Sequence, residues 1–131
     1  MRKLAVVLVL AVAACGSSSH PTMKDYALKT SVAIGQMNAA MQTVLQGGDA
    51  GGMAALCGEA VGKVKKPEDV LRHVPDAPLR AIALKYISAT DLELADCAAG
   101  NLDAATFQVQ RANQYLKLMS DRVAAITPTT S

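Results

Sequence analysis

Apolar side chains recur along residues 23–126 with spacings of three and four residues, the period of an amphipathic helix. They form four successive stripes. The first contains Met23, Ala27, Thr30, Ile34, Met37, Met41 and Val44, and the second contains Met53, Cys57, Ala60, Val64, Leu71 and Val74. The third contains Leu79, Ile82, Ala83, Tyr86, Ile87, Leu94 and Cys97, and the fourth contains Ala105, Val109, Ala112, Leu116, Met119, Val123 and Ile126. The pattern therefore predicts an all-α protein.

Residues typical of helix ends separate the four segments. Asp49, Asp76 and Asn101 are candidate N-caps, and the glycines at 47–48 and 100 are placed to end the preceding helices. Because the helices are of similar length and the connections are short, we expect an up-down-up-down four-helix bundle over residues 23–126.

Pro67 interrupts the second segment, since a proline inside a helix costs about 3 kcal/mol. The stripe nevertheless continues in register to Leu71 and Val74. Glu68 and Asp69 suit the first turn of a new helical segment. We expect a kinked second helix in which residues 67–74 prolong its direction.

Composition favours helices packed through small side chains. Hydrophobic residues make up 51% of the 131 residues, but aromatic residues only 3%, and there is no Trp. Methionines fall on the predicted inner stripes, where Met commonly fills gaps in a core, so we prefer a core role to a cuprous site for them. These residues are Met23, Met37, Met41, Met53 and Met119.

The N-terminus has the layout of an export signal. Arg2 and Lys3 precede an uncharged run over 4–14, which is shorter than the roughly 20 residues that span a bilayer. Val12-Ala13-Ala14-Cys15 resembles the lipobox of bacterial lipoproteins. The resemblance implies cleavage of residues 1–14, a diacylglyceryl group on the Cys15 thiol and often acylation of the new amino group, with palmitate among the attached lipids. The alternative is an ordinary signal peptide with a chance cysteine.

That resemblance implies an anchor at the extracytoplasmic face of the cell membrane. Residues 15–22 would then form the lipidated cysteine and a flexible tether of at most about 23 Å beyond Cys15. The last five residues, 127–131, are predicted to be a disordered tail.

Two cysteines remain after Cys15 is assigned to the lipid. Cys57 and Cys97 are an even pair in a compartment where disulfides persist, so a disulfide is the economical interpretation. Two buried free thiols are the alternative.

Charge argues against nucleic acid as a partner. Without residues 1–14, 11 basic side chains face 11 acidic ones, so the remaining chain has no net charge to attract phosphates. The cluster of Lys63, Lys65 and Lys66 is typical of a solvated helix end.

No motif predicts catalysis or a cofactor. His20 and His73 lack the carboxylate spacing of a metal site within the core stripes, and we expect the acidic run of Asp91, Glu93 and Asp96 to be a solvated helix face. We predict no catalytic residue, no metal and no cofactor.

A second apolar set lies off the stripe of the last helix. Phe107, Tyr115 and Leu118 indicate either a broad buried stripe, which we favour, or a surface for a partner.

The body of the chain resembles small actinobacterial lipoproteins of unknown function, through Cys57, Pro67-Glu68, Cys97 and Gly100. That resemblance implies no activity. We expect a lipid-anchored binding or accessory protein of the envelope, with a possible envelope protein partner. Alternatives are a carrier of a small apolar ligand or haem in the bundle interior and, less favoured, an envelope-modifying enzyme.

Overall fold

The computed structural model describes residues 23–126, with side chains from Asp25 onward, and this part of the chain is all-helical. It contains five α-helices. They are α1 (Met23–Val44), α2 (Ala50–Lys63), α3 (Lys65–Arg72), α4 (Ala77–Ala98) and α5 (Leu102–Ile126), and one 3₁₀ turn, Leu45–Gly47, extends α1. The predictions for the signal, Cys15, the tether and the tail lie outside the described residues, as does the side chain of Met23.

The predicted caps are confirmed. The Asp49 carboxylate accepts a hydrogen bond from the Gly52 backbone N–H at 2.7 Å, and the Asp76 carboxylate accepts one from Leu79 at 2.9 Å. The Asn101 side chain accepts one from Ala104 at 3.2 Å. Each cap satisfies a backbone donor that the first turn of a helix leaves unpaired.

The corner between α1 and α2 depends on glycine. Gly48 has φ 77°, in the left-handed region that glycine adopts without steric cost. A Cβ at Gly47 would lie 2.6 Å from the backbone of Gly52, and a Cβ at Gly52 would lie 2.3 Å from the carbonyl oxygen of Gly47. The two backbones therefore touch where side chains would separate them.

The segment after Pro67 is helical, but it belongs to a helix of its own, so the structure has five helices where four were predicted. Val64 is the only residue between α2 and α3, and its N–H donates to the carbonyl of Ala60. Glu68 and Arg72, one turn apart on α3, both interact with Asp91 of α4. Val64 keeps helical backbone angles and its carbonyl accepts a hydrogen bond from the Glu68 N–H, so helical hydrogen bonding continues from α2 into α3.

The core consists of the predicted stripes. The most completely buried large side chains include Met37, Val64, Leu71, Leu79, Leu94 and Met119. Val109 departs from its predicted stripe and is 38% exposed. The expectation of a broad buried stripe on the last helix is wrong for Phe107 and Leu118, which are 59% and 49% exposed, because no neighbouring helix covers that side of α5 within the described residues.

The disulfide between Cys57 and Cys97 is confirmed, and it joins α2 to the end of α4. The two Cα atoms lie 5.9 Å apart, and both side chains are buried. Closing a 40-residue separation contributes about 4 kcal/mol in the chain-entropy account.

Helices α4 and α5 form an antiparallel pair. Gly100, with φ 83°, ends the turn between them. At the far end, the Arg122 guanidinium donates to both carboxylate oxygens of Asp76, at 2.7 and 2.8 Å. Among the described helices, none is long and apolar enough to cross a membrane.

Candidate functional site

A cavity of about 400 Å³ lies between the end of α1, α2, α4 and α5. Its buried floor is formed by Val44, Cys57, Tyr86, Thr90, Glu93, Cys97, Ala105 and Ala112. Its exposed rim includes Asn38, Gln42, Leu45, Thr106, Val109 and Asn113. This volume is within the range of roughly 300–1,000 Å³ that is usual for small-molecule sites.

The cavity exists because the facing side chains are small. Ala105 and Ala112 are two turns apart on α5 and point to the same side of the helix, where a single methyl group replaces the longer side chains that usually fill a core. On the opposite wall, the Cys57–Cys97 disulfide joins α2 to α4. The space is therefore bounded by linked helices.

Glu93 lies in the floor of this cavity, and its burial corrects the prediction of a solvated acidic face. The side chain is only 6% exposed, and burial raises the pKa of its carboxyl to about 7. Asp91 is exposed and Asp96 is half-buried, so the three acidic residues do not share an environment. The helix turns Glu93 inward because it lies four residues before buried Cys97.

Tyr86 and Thr90 continue the same face of α4 towards its start. Burial raises the pKa of Tyr86 to about 12, although hydrogen bonding with the Thr90 side chain opposes the shift, and the charges of Glu93 and Glu68 add to it. Because the effect of burial outweighs that of the hydrogen bond, Tyr86 stays neutral at physiological pH. The floor therefore offers neutral polar groups beside one ionisable carboxyl group.

Among the described residues, no other charged side chain lines the cavity. The residues contributed by α1, α2 and α5 are apolar or neutral, namely Asn38, Met41, Gln42, Met53, Leu102, Ala105, Thr106, Val109, Ala112 and Asn113 together with those of the 3₁₀ turn. Within residues 25–126, the Glu93 carboxyl has neither a hydrogen bond nor an ion pair. Its negative charge, when present, is uncompensated.

A second concave region lies between α2, α3 and α4, and it has a different character. Its lining comprises Val61, Lys65, Glu68, Asp69, Arg72, Asp91, Leu94 and Ala95. Glu68 is 5% exposed, and burial raises the pKa of its carboxyl to about 8. The neighbouring Asp91 carboxyl raises that pKa further, and Arg72 opposes the rise.

The other residues singled out in the sequence lie apart from one another. Met41 and Met53 line the first cavity, whereas Met37 and Met119 are core residues. The His73 ring is exposed, with Nδ1 2.8 Å from the Asp69 carbonyl oxygen. Among the described residues, no group of three or more potential metal-ligating side chains converges.

Sequence reasoning missed Glu93 and Glu68 as buried groups, although a signal was present. Tyr86, Thr90, Glu93 and Cys97 step by four, three and four along α4, so they complete the apolar stripe. Glu68 lies between Val64 and Leu71 at the same spacings. In both stripes the glutamate occupies an inward-facing position, but a search for apolar residues does not count it.

Comparison with known proteins adds no relative: no protein-family model, curated protein or solved structure matches this chain.

Proposed function

We propose that this protein is a lipid-anchored binding protein of the bacterial envelope that holds a small, mainly apolar ligand in the cavity around Glu93. The observation that carries the proposal is the cavity itself, with its buried floor, exposed rim and size suited to a small molecule. The Ala-rich and Met-rich interior supports ligand carriage, and the cavity offers the space that a ligand would need.

The lining supports an apolar ligand body. Met41, Val44, Leu45, Met53 and Val109 surround the space, and the flexible thioether side chains of the two methionines can adjust to different shapes. The polar groups on the rim can orient a ligand without making the site strongly polar.

The anchor part of the proposal rests on the lipobox resemblance of Val12-Ala13-Ala14-Cys15. If Cys15 carries two or three acyl chains, attachment is stable, because each buried CH₂ group contributes about 0.8 kcal/mol. Metabolic labelling with palmitate tests this directly: the wild-type chain incorporates label and a Cys15→Ser chain does not. Equal labelling of the two chains would contradict the anchor.

The helix arrangement suits this role if α2 and α3 together count as one kinked helix of an up-down four-helix bundle. The other three helices of the bundle would then be α1, α4 and α5. In that arrangement the cavity lies at the end of the bundle where the α1–α2 corner meets the α4–α5 turn.

Binding can be tested with the neutral fluorophore N-phenyl-1-naphthylamine and the purified chain carrying ¹³C-labelled methionine methyl groups. We expect the probe's fluorescence to rise and the Met41 and Met53 resonances to shift, while Met37 and Met119 change little. Ala112→Leu, which fills the floor, should weaken binding at least tenfold. Ala124→Leu, the same change at an exposed position of α5, is the matched control and should bind as wild type. Equal binding by both variants would overturn the proposal.

A second candidate, an accessory protein that contacts an envelope partner, is favoured by the exposed Phe107 and Leu118 of α5. A photo-crosslinking amino acid at position 107 in intact cells should capture one defined partner. An identical crosslinking pattern from position 124 would contradict it.

A further inference from the structure

The cavity holds one ionisable carboxyl group and no cation, and this asymmetry restricts the chemistry of its ligand. Glu93 is 6% exposed and lies in the floor beside Tyr86 and Thr90. The described residues provide no ion pair and no hydrogen bond for it. A buried charge is normally paired, and the Glu93 carboxyl has no such partner among the described residues. Its oxygens are not enclosed by the fold but open onto the cavity, where a ligand group can reach them.

We propose that the cavity binds an amphiphilic amine, whose apolar body lies among the methionine and aliphatic side chains and whose protonated amino group pairs with the Glu93 carboxylate. This inference rests on the proposed function, since it names the ligand class for the same cavity. The structure supports it because Glu93, which is negative when ionised, is the only charged group that the described part of the chain presents to a ligand in this cavity.

An amine fits this arrangement better than an alcohol or a carboxylic acid. A protonated amine donates a charge-assisted hydrogen bond, which is roughly twice as strong as a neutral one. A carboxylate would meet Glu93 with the same charge in a poorly hydrated site, which is unfavourable. The neutral amides of Asn38, Gln42 and Asn113 on the rim can donate hydrogen bonds to an alcohol or a carboxylate, or accept them from an amine or an alcohol. They therefore do not reverse the preference for an amine.

The preference should depend on pH, because only ionised Glu93 forms the ion pair. Burial raises the pKa of Glu93 to about 7, so its carboxylate becomes populated as the pH rises from 6 to 8. The other titratable group in the lining is Tyr86, whose pKa is raised to about 12 and which stays neutral over this range. Cys57 and Cys97 are in the disulfide, and α1, α2 and α5 contribute no charged side chain to the lining.

The test compares hexylamine, 1-hexanol and hexanoate, three soluble probes of equal chain length, with the purified chain. Binding is measured from the Met41 and Met53 methyl resonances, and Met37 and Met119 report changes elsewhere. At pH 8 we expect hexylamine to bind about tenfold more tightly than hexanol, and hexanoate to bind most weakly. At pH 6 the advantage of hexylamine over hexanol should shrink to about twofold.

Glu93→Gln is the decisive variant, because it keeps the side-chain volume and removes the charge. Its hexylamine affinity should fall to that of hexanol at both pH values, while hexanol binding stays within about twofold of wild type. The matched control is Glu59→Gln, on an exposed position of α2, which should retain the amine preference. Should Glu93→Gln fail to fold, the pH series on the wild-type chain still decides the question.

The outcomes separate the two proposals. Binding of hexanol at least as tight as that of hexylamine at pH 8, with shifts at Met41 and Met53, overturns the amine assignment and leaves the binding function standing. Absence of a shift at Met41 and Met53 with all three probes overturns both.

Discussion

Glu68 and Glu93 are both buried glutamates, and they differ in what surrounds them. Glu68 on α3 meets other charged groups of the protein, Asp91 and Arg72. Glu93 on α4 borders a mainly apolar cavity, and the described residues give it no ion pair. Burial is the largest cause of the raised pKa in both.

The difference teaches how to distinguish a structural carboxyl from a candidate binding one. Glu68 has Asp91 and Arg72 beside it, which can share its proton or balance its charge, and its Oε2 atom is enclosed in the protein without a hydrogen bond. Glu93 has no such partner within the described residues, and the space beside it can admit a molecule. Similar burial and similar direction of pKa shift therefore correspond to different roles.

The largest expected effect tests whether both glutamate regions depend on the same link between helices. Cys57 lies one turn before Val61 of the Glu68 region, and Cys97 lies one turn after Glu93. Replacing both cysteines with alanine should lower the free energy of unfolding by about 4 kcal/mol, because the unfolded chain loses its 40-residue constraint. Urea unfolding of the oxidised wild type and the double variant measures this.

The reduced wild-type chain is the control for that experiment. It should match the double variant within about 1 kcal/mol if the cross-link, and not cysteine packing, is responsible. A double variant as stable as the oxidised wild type would show that the helices hold together without the link.

The next expected effect is a difference between the two glutamates in how protein stability depends on pH. In the folded protein the pKa of Glu68 is about 8, whereas its ordinary value is 4.5, so the folded state keeps this proton to a higher pH. Stability from this group is therefore present below about pH 4.5 and is lost as the pH rises through 8, since the folded state binds more protons than the unfolded state in that window. Glu68→Gln should be more stable than wild type at pH 9 and similar to it at pH 5.

Glu93→Gln serves as the matched comparison in the same urea series. The stability that Glu93→Gln gains relative to wild type should be smaller than that of Glu68→Gln. It should stop increasing once the pH has passed about 7, because the folded pKa of Glu93 is about 7. Lys65, Asp69, Arg72 and Asp91 also line the Glu68 region, so an altered Arg72→Gln profile would identify a contribution from the cation. A wild-type stability that rises from pH 5 to pH 9 would contradict the raised pKa of both groups.

The smallest expected change in stability concerns Asp76. Its partners lower the pKa of its carboxyl, in contrast to the raised pKa values of Glu68 and Glu93. Hydrogen bonding from Arg122 is the main cause, with the backbone of Leu79 contributing. Stability from Asp76 is therefore present above about pH 4 and is lost as the pH falls through its depressed pKa. Asp76→Ala should lose about 1 kcal/mol at pH 7, the usual value of an N-cap.

Asp76→Asn separates the cap from the ion pair, since asparagine is also a good N-cap. It should lose less than Asp76→Ala at pH 7, and thermal unfolding at pH 2.5 should show its deficit against wild type reduced. An identical loss for the two variants at pH 7 would show that the cap contributes nothing.

Much of the fold could be predicted because helical spacing and capping chemistry are local properties. The steps of three and four located the core face, and Asp49, Asp76 and Asn101 marked helix starts. The burial of Glu68 and Leu71 is less local. It depends on α3 packing against both α1 and α4, and the spacing of one segment does not contain those contacts.

The candidate site was less predictable, because it is defined by missing volume. Ala105 and Ala112 fitted the inner stripe equally well as close-packed contacts or as the floor of a cavity. Glu93 could have been found from its spacing with Tyr86, Thr90 and Cys97. The adjacent Asp91 and Asp96 made an exposed acidic face the simpler interpretation.

The glycine corner at 47–52 has a consequence for protein engineering. Scales of helix propensity favour replacing a helical glycine with alanine, by about 1 kcal/mol for each position. That gain is open at Gly51, where a Cβ would meet only the Asp49 side chain at 3.7 Å, but not at Gly47 or Gly52, where it would collide with backbone. Substitution at either of those two would force α1 and α2 apart at the end where Leu45 and Met53 line the cavity. A stability screen that scores propensity alone would therefore select substitutions that disturb the entrance of the cavity while intending only to strengthen a helix.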